Sequence, residues 1–202
     1  MFNPYGLSGW SGNQNPDGLG SSASIPPQPS VFGLLPAPAS RTPEPNLLAF
    51  NFTSFNPNIS NSAVIGPRSR AYFRITTDTP TVGFTVFFDA TGNPMAIIEW
   101  LDQPVVEIRG ILSKRRASDW LALAQNGSHR KMEAIGKHFV WAPGGDYIFL
   151  YGAGVGQPKV YAQVSRDEDS VKLEFTPEAI QIGLLEICVV ATFLLQCGKN
   201  IG

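Results

Sequence analysis

Apolar and polar residues alternate with a period of two along most of the chain. The alternation begins in "LLAFNFTSF" (47–55), where Phe50 and Phe52 flank Asn51. This period places successive side chains on opposite faces of an extended strand, so that one face is buried. It recurs at a spacing of about ten residues, which is typical of antiparallel sheets. The further strands are predicted at 70–76, 82–88, 95–100, 105–110, 129–135, 137–142, 146–151, 159–165 and 171–176.

The breaks between these segments carry turn residues, as in "DATGNP" (89–94) and "PGG" (143–145). Glycine, proline, asparagine and aspartate supply the backbone angles that tight turns need. One segment, "ASDWLALAQ" (117–125), interrupts the alternation, and we expect a short helical or irregular crossing there, anchored by Trp120 and Leu121. The pattern predicts a mainly β fold, an antiparallel barrel or sandwich of about ten or more strands.

After the last strand, the pattern predicts one helix over about 177–197. Thr176 is suited to cap its N-terminus, Pro177 to occupy its first position, and Gly198 to end it. It is apolar on nearly every side, yet Glu186 stands near its middle, and an acidic residue there disfavours a membrane span. We expect a central helix enclosed by the strands, with a buried Glu186 that needs a partner. A membrane anchor is the alternative.

Residues 1–45 differ in composition from the rest. They contain many Pro, Gly, Ser and Asn residues and three charges, Asp17, Arg41 and Glu44. Such a stretch has little apolar surface to offset the entropy of ordering. We therefore predict a disordered tail over 1–45 and one β domain over 46–202. A partner-binding motif at "VFGLLP" (31–36) is the alternative to a solvated tail.

The overall charge excludes some classes of partner. Fifteen Lys and Arg residues balance 16 Asp and Glu residues, so nucleic acid is not an expected ligand. The N-terminal sequence lacks the basic and apolar regions of a secretory signal, and we expect an intracellular, cytoplasmic protein. Cys188 and Cys197, nine positions apart on the predicted helix, lie on opposite faces, too far apart for a disulfide.

The chain resembles a fungal family catalogued as domain of unknown function 6593, abundant in mushroom-forming fungi. The resemblance covers about residues 70–200 and lies in the following stretches: "FTVFFDATGNPMAIIEW" (84–100), "VEIRGILSKRRASDWL" (106–121), "GKHFVWAPGGDYIFLY" (136–151) and "LEFTPEAIQIGLLEICVVATFLLQ" (173–196). That family is similar to the tubby-like group, which includes plant LURP-one-related proteins and phospholipid scramblases. The resemblance implies a barrel wrapped around a central helix. In tubby proteins, clustered basic surface residues bind phosphoinositide head groups.

The densest basic cluster is a candidate anion site. Lys114, Arg115 and Arg116 are contiguous in "SKRRASDW" (113–120), and Arg109 is near in sequence. Each such cation contributes about 1 kcal/mol near an acidic membrane surface. An ordinary solvated loop is the alternative. Ser118 completes the Arg-Arg-x-Ser pattern of basophilic kinases, and a phosphate there would neutralise the cluster.

No catalytic constellation, metal-ligand spacing or cofactor motif is recognisable in the sequence. The glycines of "GAGVGQP" (152–158) precede a strand pattern instead of a helix and predict a hairpin turn. We therefore expect a non-catalytic binding module for an anionic phospholipid or a protein partner. The alternatives are a scaffold that recruits partners through residues 1–45, and a scramblase-like or tail-anchored membrane protein. The oligomeric state stays open.

Overall fold

A computed structural model describes residues 46–55, 58–78, 83–154 and 158–202. The predicted tail, residues 1–45, lies outside the described residues. Three helices are present in the described part: α1 (Ala117–Trp120), α2 (Pro177–Gln181) and α3 (Leu185–Gln196). The strands are β1 (Leu48–Thr53), β2 (Ser62–Ile65), β3 (Ala71–Thr77), β4 (Phe84–Asp89), β5 (Pro94–Glu99), β6 (Val105–Ile108), β7 (Leu112–Arg116), β8 (Leu121–Leu123), β9 (Arg130–Ala134), β10 (Lys137–Gly144), β11 (Tyr147–Gly152), β12 (Val160–Arg166) and β13 (Val171–Phe175).

The strands form a 13-stranded sheet in the order β7-β6-β5-β4-β3-β2-β1-β13-β12-β11-β10-β9-β8. Each neighbouring pair is antiparallel. The predicted mainly β, antiparallel fold is therefore confirmed. The sequence pattern missed β2, β7 and β8 because two of them are only three or four residues long and β7 is almost entirely polar.

The two edge strands of this sheet, β7 and β8, are neighbours in the chain and are joined by the four residues of α1. A four-residue helix spans about 6 Å, so the two edges lie near each other. The N–H of Ala117 donates to the Pro104 carbonyl at 2.8 Å, on the β6 side. Trp120 Nε1 donates to the Glu133 carbonyl of β9 at 3.2 Å. Helix α1 thus contacts both edges of the sheet, although the strand ladder itself is not continuous between them.

The core lies on one face of the curved sheet, where α3 packs against the inward side chains. Ten consecutive residues of α3, from Ile187 to Gln196, are buried. Phe193 makes an edge-to-face contact with Phe87 of β4, with ring centroids 5.2 Å apart. A helix buried along most of its length has no polar face to offer to solvent, as its mainly apolar sequence indicates.

The prediction of one continuous helix over 177–197 is wrong in one respect, because the chain breaks between α2 and α3. The predicted N-cap is confirmed: Thr176 Oγ1 accepts a hydrogen bond from the Ala179 N–H at 3.3 Å. The helix then ends early because Gly183 adopts a φ of 82°, a left-handed conformation that glycine tolerates and that interrupts the helical ladder. A second helix restarts at Leu185.

This break also corrects the expectation for Glu186. It lies in the first turn of α3 and is partly exposed, so it is not a buried mid-helix charge. A carboxylate there is favoured by the positive end of the helix dipole. At the other end of α3, Arg166 Nη1 donates to the Gln196 carbonyl at 3.0 Å. The buried polar residues of α3 are instead Thr192 and Gln196.

Within the described residues, no helix combines the length and the apolar character needed to cross a membrane. The break at Gly183 is the reason, since it leaves α3 with 12 residues. A span requires about 20 residues.

We predict that Leu194→Ala lowers the free energy of unfolding by about 2–5 kcal/mol, because the leucine is fully buried and its truncation leaves a cavity. Leu101→Ala is the matched control, since Leu101 is 60% exposed and its truncation leaves none. Chemical denaturation monitored by circular dichroism measures both. Equal losses in the two variants would contradict the central position of α3.

Candidate functional site

The basic cluster of the sequence lies on strand β7, at one edge of the sheet, and not in a loop. Leu112 is its only buried residue, and the four residues that follow are exposed. The strand has one hydrogen-bonded neighbour, β6. Charged side chains on an edge strand hinder pairing with the strand of another molecule. The cluster therefore has a structural role that the sequence pattern did not indicate.

The four predicted cations do not converge on one point. Arg109 belongs to the turn before β7, at the opposite end of this strand from Arg116. Arg115 lies opposite Val106, whose side chain is buried, whereas Arg116 lies opposite Val105. Since neighbours along a strand project to opposite faces, the two arginines point to different sides of the sheet. No shared anion pocket is formed by the predicted set.

Lys114 is also partly neutralised, because its Nζ forms a salt bridge with Glu99 Oε1 on β5. The lysine side chain is 53% exposed and the glutamate 21%, so solvent screens much of the attraction. Exposed pairs of this kind contribute about 0–1 kcal/mol to stability. Of the predicted cations, Arg109, Arg115 and Arg116 have no salt bridge within the described ranges.

A different group of exposed residues lies in and beside the β6–β7 turn and the β9–β10 turn. We call it the isoleucine rim: Arg109, Ile111, Ile135 and Lys137. Ile111 is 44% exposed and Ile135 is 41% exposed, and both cations are exposed. Ile111 and Ala134, the last residue of β9, line one small depression. Each of the two isoleucines has an exposed cation two positions away along the chain.

Backbone strain marks the same place. Ile135 has a φ of 49°, in the left-handed region, which costs a non-glycine residue about 1–2 kcal/mol. A β-branched residue is especially unfavourable there. Ile135 and Gly136 are the two turn residues between the paired Ala134 and Lys137, and such a hairpin turn requires a positive φ at both positions. One carboxylate, Glu133, also lines the depression and reduces the positive potential of the rim.

Sequence reasoning overlooked Arg130, which is 2% exposed. Its Nη1 donates to the Leu121 carbonyl at 2.7 Å and its Nη2 to the Gly202 backbone oxygen at 2.9 Å. It therefore ties edge strand β8 to the last residues of the chain. The signal was present in "HRKMEAI", because Arg130 shares the inward phase of Met132 and Ala134.

Ser118 lies on α1 and is partly buried. Gly202 packs directly against it, so closely that a Cβ on Gly202 would collide with the Ser118 Cβ. A kinase needs its substrate in an extended and accessible conformation, which the present packing of Ser118 does not offer. Phosphorylation of Ser118 stays a prediction that requires residues 201–202 to move.

The opposite end of the sheet, near the end of β5, is internally paired. Trp100 Nε1 donates to Thr85 Oγ1 at 2.8 Å, and the Lys199 ammonium lies 3.9 Å from the centre of the Trp100 ring. Burial lowers the pKa of Lys199. The polar groups there are already paired with one another. This end of the sheet therefore offers less open surface than the isoleucine rim.

Metal and thiol chemistry find little support in the described ranges. No group of three or more His, Cys, Asp or Glu residues there is placed to hold a metal ion. His129 contacts Ser128 Oγ through Nδ1 at 2.9 Å, and burial lowers its pKa. Cys188 is buried and Cys197 partly buried, and both are free thiols. Burial raises the pKa of Cys188 and raises the pKa of Cys197 to about 11.

No protein-family model matches the chain, and no curated protein matches it. Among solved structures, the chain is similar to a protein from Arabidopsis thaliana determined by X-ray crystallography. The two are 12% identical, the match covers 75% of this chain and 89% of that one, and the TM-score is 0.41. A likeness of this degree carries no argument about fold or function.

We predict that Arg130→Met lowers the free energy of unfolding by about 2–4 kcal/mol, since it leaves the carbonyl of Leu121 and the oxygen of Gly202 without their charged donor. Lys131→Met is the control, because Lys131 is exposed on the same strand. Urea titration measures both. A loss below 1 kcal/mol for Arg130→Met would contradict the role of this side chain in holding the sheet edge.

We predict that Cys197 reacts slowly with iodoacetamide in the native protein at pH 8. A pKa of about 11, against 9.0 for the free thiol, leaves roughly 100-fold less of the reactive thiolate at this pH. Native stability should also fall as pH rises from 9 towards 11, because the unfolded state then loses the thiol proton first. Mass spectrometry of native and urea-unfolded samples measures the labelling. Equal rates in the two samples would contradict the buried thiol.

Proposed function

We propose that this protein is a non-catalytic module that binds the surface of an anionic phospholipid membrane through the isoleucine rim. The observation that carries the proposal is the exposure of Ile111 and Ile135 in two turns, each with an exposed cation two positions away along the chain. The turns are connected by one depression, which Ile111 and Ala134 line together. An exposed aliphatic tip loses its contact with water when it enters the head-group region. The flanking Arg109 and Lys137 then meet lipid phosphates.

The magnitudes fit reversible binding. Each of the two cations contributes about 1 kcal/mol near an anionic surface. Complete burial of an isoleucine contributes about 1.5–3 kcal/mol, and less than half of each side chain is available here. The sum is about 3–5 kcal/mol, which supports peripheral attachment.

We further propose that the sheet is the wall of a tubby-like barrel around α3, and that the chain is a member of the fungal 6593 family. Support comes from α1, whose hydrogen bonds reach Pro104 before β6 and Glu133 of β9, the strands next to the two edges. The burial of α3 along ten residues supports it too. The depression at the rim adds to this support, because Leu112 of one edge and Ala134 near the other line it together. The resemblance to tubby proteins, which bind phosphoinositides, agrees with an anionic lipid as ligand.

The alternatives are less well supported. A scramblase-like or tail-anchored protein would have to place α3 in a bilayer, and this would remove from the core ten residues that are now buried. A scaffold that acts through residues 1–45 involves a segment outside the described residues. A protein partner at the isoleucine rim remains an alternative occupant of the same surface.

We predict that the protein binds vesicles containing phosphatidylserine or a phosphoinositide more tightly than neutral vesicles, and that added salt weakens binding. Arg109→Gln with Lys137→Gln should reduce affinity about 30-fold, as the loss of about 2 kcal/mol implies. Ile111→Ser should reduce it further. Glu133→Gln should strengthen binding, because it removes the carboxylate at the rim.

Two controls accompany this flotation assay. Leu101→Ser removes an exposed leucine, and Arg74→Gln an exposed arginine on β3; both lie away from the rim and should leave binding unchanged. Equal recovery with neutral and anionic vesicles, or equal losses in the rim and control variants, would exclude the proposal.

A further inference from the structure

The turn between β8 and β9 contains the one Asn-Gly pair of the sequence, Asn126 and Gly127. The asparagine side chain is exposed at the surface of this turn. The N–H of Gly127 donates to the Ala124 carbonyl at 2.8 Å, and the N–H of Ala124 donates to the His129 carbonyl at 2.9 Å. The turn therefore has a defined conformation, in which the Asn126 carboxamide stays at the surface beside the Gly127 nitrogen.

Two groups of Ser128 donate hydrogen bonds to the Asn126 carboxamide oxygen. The Ser128 nitrogen lies 3.2 Å from Asn126 Oδ1, and the Ser128 hydroxyl oxygen lies 2.7 Å from it. Because a backbone N–H can only donate, the first contact identifies the oxygen of the carboxamide. Two donors on this oxygen make the carboxamide carbon more electrophilic, and they stabilise the negative charge that the oxygen gains when a nucleophile adds.

His129 holds the Ser128 hydroxyl in this orientation. Its Nδ1 lies 2.9 Å from Ser128 Oγ. The single hydroxyl proton points to Asn126, so the imidazole supplies the proton of the second hydrogen bond, and Nδ1–H donates to Oγ. Two hydrogen bonds thus connect the His129 ring through Ser128 to the Asn126 carboxamide, and bonds in such a chain polarise one another.

Gly127 leaves its backbone nitrogen accessible to the Asn126 side chain. It has a φ of 69°, and no atom beyond its chain neighbours lies within 4 Å of the position that a Cβ would take. A side chain there would hinder the approach of the nitrogen to the carboxamide carbon, and glycine has none. The hydrogen bond from Gly127 to Ala124 lies in a surface turn, where water can replace it at little cost in free energy.

The other described asparagines lack one or more of these features. Asn58 is the nearest match, because it is exposed and its Oδ1 accepts a backbone N–H from two positions further along the chain at 2.9 Å. The residue after it is Ile59, which is β-branched and only 2% exposed. Asn93 precedes Pro94, which has no N–H. Among the described residues, Asn126 alone combines a following glycine with two donors on its carboxamide oxygen.

We propose that Asn126 is a site of spontaneous cyclisation and deamidation, which the two Ser128 donors promote. The Gly127 nitrogen bonds to Asn126 Cγ, the bond from Cγ to Nδ2 breaks, and Nδ2 leaves as ammonia with the proton that the Gly127 nitrogen has lost. Water then adds to either carbonyl of the cyclic imide and breaks the bond from that carbonyl to nitrogen. The products are aspartate and isoaspartate.

The modified turn is separate from the isoleucine rim. Asn126 precedes β9 at its Arg130 end, whereas the rim follows β9 at its Ala134 end, about 14 Å away along the strand. Each modified molecule gains one negative charge, and isoaspartate lengthens the backbone of the turn that joins edge strand β8 to β9. The modification therefore acts on the sheet edge and is independent of the proposed membrane contact.

Storage of the full chain at neutral pH tests the proposal. Methylation by protein isoaspartyl methyltransferase measures isoaspartate, and peptide mapping by mass spectrometry assigns it to a residue. We expect it to form about tenfold faster at Asn126 than at Asn58, because the hindered nitrogen of Ile59 raises the barrier there. Asn126→Gln should remove the signal, since glutamine would have to close a larger ring. Equal accumulation at Asn58, or none at Asn126, would overturn the proposal.

A second variant separates the effect of the fold from that of the Asn-Gly pair. Ser128→Ala removes the hydroxyl donor and should slow deamidation of the native protein about fivefold, the effect of about 1 kcal/mol in the barrier. Ser113→Ala on β7 is the matched control, because this serine is also exposed. In urea, where the hydrogen bonds are lost, all three chains should react at one rate. An unchanged native rate for Ser128→Ala, or equal slowing in urea, would contradict the role of Ser128.

Discussion

The structure depends on the burial of α3, a helix that has no polar side. Its residues from Ile187 to Gln196 are all removed from water, which one face of a flat sheet cannot achieve. The sheet must therefore curve far enough to meet the helix from several directions. Thirteen antiparallel strands with two edges brought together by α1 satisfy this requirement. The hydrophobic effect on one short helix thus determines the curvature of the whole sheet.

The two edge strands, β7 and β8, are joined by α1. Several charged and polar side chains of the described residues lie on or near these strands. Arg130 holds β8 to the last residues, and α1 reaches across to β9 through Trp120. The cations of β7 protect the free edge, since a charged strand does not readily pair with another molecule. The isoleucine rim lies beside β7 and β9, where Ile111 and Ala134 line one depression. The proposed membrane contact is therefore close to the edge strands.

The outer face of the sheet is not equally buried along its strands. Most outward positions are polar, as the alternating sequence pattern predicts, but β11 reads "YIFLY" without a polar residue over 147–151. A continuous apolar run is typical of a strand buried on both faces. Phe149 and Tyr151 fulfil this expectation, because both are as buried as many core residues.

The sequence alone determined the mainly β class, most strands and the cap of the C-terminal helical region, because period-two alternation and capping chemistry act locally. It also contained the inward phase of Arg130, although its partners, 9 and 72 positions away, could not be read from it. Only the tertiary structure decided that Lys114, Arg115 and Arg116 lie on an edge strand and project to different faces, since a polar strand has no hydrophobic period. It likewise decided the partial exposure of Glu186. The break at Gly183 makes α3 begin at Leu185, so Glu186 lies in the first turn of this helix. The isoleucine rim could not be predicted for the same reason: Ile111 and Ala134 are 23 positions apart, and only the tertiary structure brings both to one depression.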